Sequence, residues 1–494
     1  MAGYLMRNFK LLFGVIIYSL LLNSNIIAQD TANTAGHSKR ITIMGLGDSI
    51  TEGGEEFHSY LFPLWEHLFA AGYRIEFIGP RSSKCRIGTL NHCGFSGMTA
   101  EFLDAHIDSI YRKYPATLVL LHSGHNHFDT EKPVDGIIAA QQSIIRKIQA
   151  INPKVKILVA EVIESGKLPK YSYIPELNKR IASMVQNMHN PNVVLVDQSK
   201  GFDWTQYTIK DKVHPNPVGA DRMATAWFDA LKQILPKPGQ SFHPEIVSYK
   251  KTAQRDLSLH IFRPGKIKKG KKRPAIVYFF GGGWSVGTPL QFYRECAYYA
   301  SKGMVAIASD YRIANLDHST PFESVEDAKD AIRWIRRNAG KWNIDPDRIV
   351  VAGSSAGGHL AAATGTLKEF ETKQDSFSCK PNLLVLYYPV IDNSENGYGF
   401  DLVKARYKEL SPLHNIDHTT PPALFILGTK DSLIPVKTAE TFRLHMEENG
   451  VDCELHMIEG AGHPIFNYAQ ELSPVFYTIK TLTDDFLRKY GYLK

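Results

Sequence analysis

Residues 348–364 read RIVVAGSSAGGHLAAAT, and this stretch decides the fold of the second half of the chain. The apolar run Ile349 to Ala352 leads into Gly353-Ser354-Ser355-Ala356-Gly357, a G-x-S-x-G pattern, and an alanine-rich helical segment follows. A chain that leaves a strand, turns sharply and enters a helix needs small residues at the turn. Such a turn lifts a serine hydroxyl, here Ser355, clear of the sheet, and the helix start stabilises negative charge forming beside it. Further apolar runs flank it: PAIVYFFGGG (274–283), MVAIASDY (304–311), LLVLYYP (383–389), ALFILG (423–428) and CELHMIEG (453–460), with a strong helical pattern at 321–340. Strands alternating with helices predict a parallel sheet covered on both faces, of about eight strands. DLSLHIFRP, earlier in the chain, reads as an antiparallel strand.

A serine nucleophile needs an oxyanion hole and a base. Phe280-Gly281-Gly282-Gly283-Trp284 ends an earlier strand, so Gly282 and Gly283, with the N–H of Ala356, are the candidate oxyanion donors. In this kind of fold the acid and the histidine follow the serine in that order. Asp431 lies in GTKDSLIP after one apolar run, and His463 lies in EGAGHPIFN after the next. An imidazole there takes the proton of Ser355 while Asp431 fixes its tautomer. His359, on the same helical segment as Ser355, reads as a packing or capping residue.

These motifs (FFGGGW, SDYR at 309–312, GSSAGG, GTKD and GAGH) resemble an α/β-hydrolase of the hormone-sensitive-lipase-like esterase group, which also holds many carbohydrate acetylesterases. The likeness covers about 245–494. One departure is Phe280, where the group commonly has His before the three glycines.

The first half repeats the strand–helix alternation with different motifs. ITIMGLGDS ends in Gly47-Asp48-Ser49, and TLVLLHSG (117–124), VKILVAEVI (155–163) and NVVLVDQS (192–199) follow, with helical patterns near 133–151, 174–189 and 217–235. Asp211-Lys212-Val213-His214 puts a carboxylate and an imidazole on one short turn, where Asp211 can orient His214 toward Ser49. Asn126, in SGHNH, can donate its amide N–H to an oxyanion. Gly94, in CGFSGMT, can donate a backbone N–H, with Gly97 the less favoured choice. In this order the blocks resemble the SGNH (GDSL) hydrolase family over about 40–235. The resemblance implies a flavodoxin-like α/β/α sandwich and ester hydrolysis through an acyl-serine. Here the departure is Gly124-His125-Asn126-His127 where the family often reads G-x-N-D, so His127 replaces an Asp that usually braces the loop.

The fold class is therefore α/β with two α/β domains, an SGNH sandwich at 36–235 and an α/β-hydrolase at 246–494. Leu235-Pro236-Lys237-Pro238-Gly239 cannot continue a helix, which makes 236–245 the linker. A length of 494 residues suits two domains. With 44% hydrophobic and 22% charged residues, disorder and collagen-like fibre are excluded. The net charge of +7 comes with no arginine-rich stripe, so no nucleic-acid partner is expected. The cluster Lys266, Lys268, Lys269, Lys271, Lys272 and Arg273 reads as a solvated hairpin loop.

Arg7 and Lys10, the apolar stretch Leu11 to Leu22 and Ala28 form a secretory signal pattern over 1–28, too short for a comfortable membrane span. A secreted or periplasmic protein with no membrane association after cleavage is expected. Cys85 and Cys93 flank a short loop and form the one expected disulfide; five cysteines exclude a full disulfide framework. No CxxC or HExxH pattern occurs, so neither a metal nor an organic cofactor enters the reading.

The expectation is a bifunctional serine esterase acting on an acetylated polysaccharide or oligosaccharide such as acetylated xylan. Feruloyl and pectin acetyl esters compete as substrates. A rival reading keeps one active esterase and treats the first half as an inactive carbohydrate-binding module. Acyl lipids fit less well, because no long apolar lid segment is evident between the motifs.

Overall fold

The computed structural model describes residues 41–494 apart from 55–56, 58, 86–87, 239–240, 266–270, 369, 371–375 and 466–473. The expected signal segment and Lys266, Lys268 and Lys269 lie outside the described residues.

The chain builds two separate sheets. The first has seven strands: β1 (Ile41–Gly47), β2 (Ile75–Phe77), β3 (Arg81–Cys85), β4 (Gly88–Gly94), β5 (Leu118–His122), β6 (Lys156–Glu161) and β7 (Val193–Asp197). Their order is β3-β4-β1-β5-β6-β7, with β2 also on β1, and every pair is parallel except β3–β4. Helices cover both faces. Leu103, Ile107, Ile144, Ile148, Leu177 and Ile181 fill one side. On the other, Leu64, Leu68, Trp227 and Leu231 come from the helices Leu61–Ala70 and Pro217–Ile234. β5 is buried at every residue, as a central parallel strand must be.

The second sheet has eight strands: β8 (Glu245–Lys251), β9 (Asp256–Phe262), β10 (Arg273–Phe279), β11 (Val305–Ser309), β12 (Ile344–Ser354), β13 (Leu383–Tyr387), β14 (Ala423–Gly428) and β15 (Cys453–Ile458). They run β15-β14-β13-β12-β10-β11-β9-β8, with only the β8–β9 and β9–β11 pairs antiparallel. β12 lies inside the sheet and delivers Ser355 at its end. Between β13 and β14 lies a stretch of short helical turns, residues 388–422, that the apolar pattern does not announce.

The join is packed. Phe242 is buried, its ring 6.4 Å from Phe69 of the first half and 5.8 Å from Tyr293 of the second. Its N–H donates to the Ala70 carbonyl at 2.9 Å, and Thr288 Oγ1 donates to Glu66 Oε1 at 2.8 Å. The last residue of the expected linker, Glu245, already begins β8.

The expected Cys85–Cys93 disulfide does not form. The two cysteines belong to the β3–β4 hairpin, whose register sets Cys85 opposite Gly88 and Arg81 opposite His92. Cys93 therefore lies five residues along the ladder from the partner of Cys85, about 17 Å at strand spacing. A disulfide needs Cα atoms within about 7 Å. The two thiols also serve different cores, Cys93 on one face of the sheet and Cys85 on the other.

Two candidate active sites

β1 ends at Gly47, where a Cβ would stand 2.3 Å from the His122 carbonyl oxygen, so only glycine lets the strand exit here. Asp48 caps the helix Ser49–Glu52 by accepting the Ile50 N–H at 3.0 Å. That turn points Ser49 at the loop carrying Asp211 and His214. Ser49 Oγ lies 2.8 Å from His214 Nε2, and His214 Nδ1 donates to Asp211 Oδ2. The other oxygen, Asp211 Oδ1, accepts the N–H groups of Val213 at 2.9 Å and His214 at 3.0 Å. Burial works against the Asp211 carboxylate, but the His214 bond and these two N–H groups outweigh it and hold its pKa below the ordinary value. An ionised acid on Nδ1 keeps the proton there, which leaves Nε2 free to accept from Ser49. The Phe57 ring stacks over His214 at 4.2 Å and limits its swing.

Asn126 follows β5 in the left-handed region, φ 72, and one N–H of its amide donates to the Met98 carbonyl at 3.0 Å. An amide has two donors, so the second remains for a substrate oxyanion. Gly94 is not an available donor, contrary to expectation. Its N–H already donates to His92 Nδ1 at 3.0 Å, and it is glycine because a Cβ would meet Glu52 N at 2.5 Å. Gly97 suits the role: it is exposed at φ 75, and among the described residues no acceptor takes its N–H. The N–H of Ser49 itself is likewise unengaged there, a donor the sequence reading missed although it comes with any serine at a helix start. His127 does brace the loop. Its two ring nitrogens lie 3.1 Å from Glu131 and 3.0 Å from Glu101, which ties the Asn126 loop to the helix Ala100–Lys113.

Behind Ser49 lies a buried polar group comprising Asp48, His122 and His125. Burial pushes His122 down to about 4 and His125 to about 3, and Asp48 up to about 7. Neither ring nitrogen of His122 finds a hydrogen-bond partner among the described residues. Below its ordinary pKa the unfolded chain protonates His122 while the folded one does not, so acid favours unfolding until about pH 4. Replacing His122 by Phe removes this. Denaturant melts are expected to show the stability of His122→Phe gaining on wild type by about 1.4 kcal/mol per pH unit between about pH 6.5 and 4. A difference that stays flat with pH contradicts this.

In the second site Ser355 sits at φ 53 and ψ −119, the strained elbow conformation. Its oxygen lies 2.9 Å from His463 Nε2, and His463 Nδ1 lies 2.8 Å from Asp431 Oδ2. Asp431 Oδ1 accepts the N–H groups of Leu433 at 2.8 Å and Ile434 at 2.9 Å. The Tyr388 and His463 rings pack edge to face, their centres 4.9 Å apart. Gly282 and Gly283 lie at positive φ beside the serine, and a Cβ on Gly281 would be 3.3 Å from Ser355 Cβ. Among the described residues nothing accepts the N–H groups of Gly282, Gly283 or Ala356, so the three expected donors stand available. Phe280 does not loosen this loop: its ring stacks on Tyr311 at 4.1 Å, and Tyr311 Oη donates to the Phe280 carbonyl at 2.7 Å. Gln291, which no motif marks, accepts the Gly281 N–H at 2.6 Å. His359 is buried and bonds the Leu410 carbonyl at 2.9 Å, as a packing residue does.

Residues 46–222 match the GDSL-like Lipase/Acylhydrolase family and residues 259–395 match BD-FAE. The chain is 28% identical over 205 residues to an acetylxylan esterase of Xylanibacter ruminicola, covering 38% of this chain and 40% of that protein. It is 29% identical over 249 residues to Esterase LipC of Mycobacterium tuberculosis, covering 46% of this chain and 61% of that one. It thus spans 40% and 61% of the lengths of these two curated relatives. A solved esterase from Thermogutta terrifontis, with propionate bound, is 37% identical over 51% of this chain and 95% of its own, with a TM-score of 0.48.

Proposed function

We propose, for a chain that belongs through its first half to the GDSL-like lipase/acylhydrolase family and through its second to the BD-FAE family, that it is an exported two-site ester hydrolase. Its substrate on this reading is an acetylated plant-type polysaccharide such as acetylated xylan. The observation that carries the reading is the pair of complete Ser–His–Asp relays, Ser49–His214–Asp211 and Ser355–His463–Asp431, each with N–H donors beside it that are unengaged among the described residues. In each, the histidine Nε2 takes the serine proton as the oxygen attacks the ester carbonyl. The tetrahedral oxyanion is held by Ser49, Gly97 and Asn126 in the first site and by Gly282, Gly283 and Ala356 in the second. The imidazolium then protonates the leaving alcohol, and water activated by the same histidine releases the acid and frees the serine. The likeness to an acetylxylan esterase supports the polysaccharide assignment. The signal pattern over 1–28 supports export.

The test incubates the full-length protein with acetylated xylan, measures acetate, and maps the peptides labelled by a fluorophosphonate. Acetate release with label on both Ser49 and Ser355 is expected. Label on Ser355 alone makes the first half a non-hydrolytic module. Release of ferulate or of pectin acetyl groups in place of xylan acetate moves the substrate. Mature protein recovered outside the cytoplasm and starting at Gln29 supports export, and an intact Met1 in the cytoplasm contradicts it.

A further inference from the structure

The loop that carries the second site's oxyanion donors, residues 281–287, has little conformational preference of its own. Gly282, Gly283, Trp284 and Gly287 all stand at positive φ, at 136, 59, 56 and 122. A free chain seldom strings such conformations together, and glycines leave them easily. The shape of the loop is therefore set by what holds its two ends. At the entrance the Gly281 N–H donates to Gln291 Oε1 at 2.6 Å. The same oxygen accepts Ser354 Oγ at 3.3 Å, which ties the loop to the residue before the nucleophile. At the exit Gly287 lies against the entrance, since a Cβ there would stand 2.5 Å from the Gly281 carbonyl oxygen. Thr288 follows and caps the turn Pro289–Phe292, and its carbonyl accepts the Gln291 N–H at 3.1 Å. One residue thus anchors both the exit of the loop and the turn that holds its entrance.

Thr288 is in turn gripped from the other half of the chain. It is fully buried, and its Oγ1 donates to Glu66 Oε1 at 2.8 Å. A buried hydroxyl that loses its acceptor is left unsatisfied, so without Glu66 the residue is better off shifted toward another partner. Glu66 lies on the helix Leu61–Ala70, which Leu64 and Leu68 fix in the core of the first half. The end of the same helix supplies Phe69 and the Ala70 carbonyl to Phe242 at the join. The grip on Thr288 therefore comes from a helix seated in packed core.

We propose that Glu66 is a positioning residue for the second active site: through Thr288 it holds the loop 281–287, so the first half of the chain completes the oxyanion hole of the second. This rests on the hydrolase reading of Ser355. Gly282 and Gly283 lie between the two anchored ends, and their N–H groups act only when aimed where the oxyanion forms. An oxyanion hole serves the transition state more than the bound ester, so a loosened loop lowers kcat and leaves KM in place. A contact that merely glued the halves together would change stability without that split.

The experiment uses the full chain as Ser49→Ala, which leaves Ser355 to report alone on p-nitrophenyl acetate. Glu66→Ala and Thr288→Val are each expected to lower kcat about tenfold with KM unchanged, less than the ~10²–10³ lost with a whole donor. Together they are expected to cost no more than either alone, because both break one bond. Glu66→Gln keeps an acceptor and Thr288→Ser keeps the donor, so both should retain turnover. In the Ser355→Ala chain, Glu66→Ala should leave turnover at Ser49 unchanged. An unchanged kcat at Ser355 in Glu66→Ala overturns the proposal, and so do losses that multiply in the double variant. It is equally overturned by a Glu66→Gln protein as slow as Glu66→Ala, or by an equal loss at Ser49. If Ser49→Ala with Glu66 intact neither cleaves p-nitrophenyl acetate nor takes fluorophosphonate at Ser355, the hydrolase reading itself fails and the proposal falls with it.

Discussion

Ser355→Ala is expected to lower turnover at the second site about 10⁶-fold while the first site keeps its rate, and Ser49→Ala is expected to do the converse. Each serine oxygen stands within hydrogen-bond distance of one imidazole, 2.8 Å at His214 and 2.9 Å at His463. Without that oxygen no acyl-enzyme forms, and the donors alone retain about 10³–10⁴-fold over water. The relays sit on different sheets and share no residue, so the losses are independent. The measurement is acetate release by the wild type, both single variants and the double variant, with the surviving acetyl positions read by NMR. Each single variant should leave a different set of positions uncleaved, and the double variant should leave all of them. A Ser49→Ala protein that equals wild type on every ester would assign the first half to binding alone.

Gly357→Ala is expected to destroy the second site and to destabilise its half of the chain by more than about 4 kcal/mol. A Cβ at Gly357 would stand 2.1 Å from the carbonyl oxygen of Phe279 and 2.3 Å from that of Phe280. Both are backbone atoms of a central strand and the loop leaving it, which cannot give way as a flexible side chain can. The helix Ala356–Thr366 would have to lift off β10, carrying Ser355 away from His463. Gly353 guards the same contact from the other side, since its Cβ would meet the Gly357 oxygen at 2.2 Å. Fluorophosphonate labelling distinguishes outcomes here. Label should vanish from Ser355 and persist on Ser49, with an early unfolding transition in denaturant. A variant with wild-type stability and labelled Ser355 contradicts the steric account.

Much of this was legible in the chain because several buried parallel strands are nearly unbroken apolar runs that lead into site residues: β1 into Ser49, β12 into Ser355 and β14 into Asp431, with His463 following β15. The second relay could be read from that regularity, and the first from Ser49 at the end of β1 together with the Asp211–His214 spacing. The β3–β4 hairpin could not: Arg81–Cys85 buries only its cysteine, so it carries no strand pattern, and the interval from Cys85 to Cys93 reads as a loop to be closed by a disulfide. The two glycines of CGFSG are equivalent on paper. What separates them is His92, whose Nδ1 takes the Gly94 N–H, whereas among the described residues no acceptor takes that of Gly97. The two departures from family pattern are compensated from outside the motifs, by Glu101 and Glu131 for His127 and by Tyr311 for Phe280. Neither motif contains its own support, so neither compensation could be seen before the chain was folded.

The two relays hold their acids in the same way, one carboxylate oxygen on the imidazole and the other on a pair of backbone N–H groups, yet they differ in how far apart their members lie. Asp211 and His214 are three residues apart on one turn, while Asp431 and His463 are 32 apart, with a helix and β15 between them. The short arrangement is inherited as a single unit: any residue gained or lost inside it breaks acid and base together. The long one leaves room for lineages to lengthen, shorten or rebuild the intervening segment while the chemistry persists. Over evolutionary time the second half is thus the freer to reshape its surroundings, and the first must change through the loops around a turn that cannot vary in length.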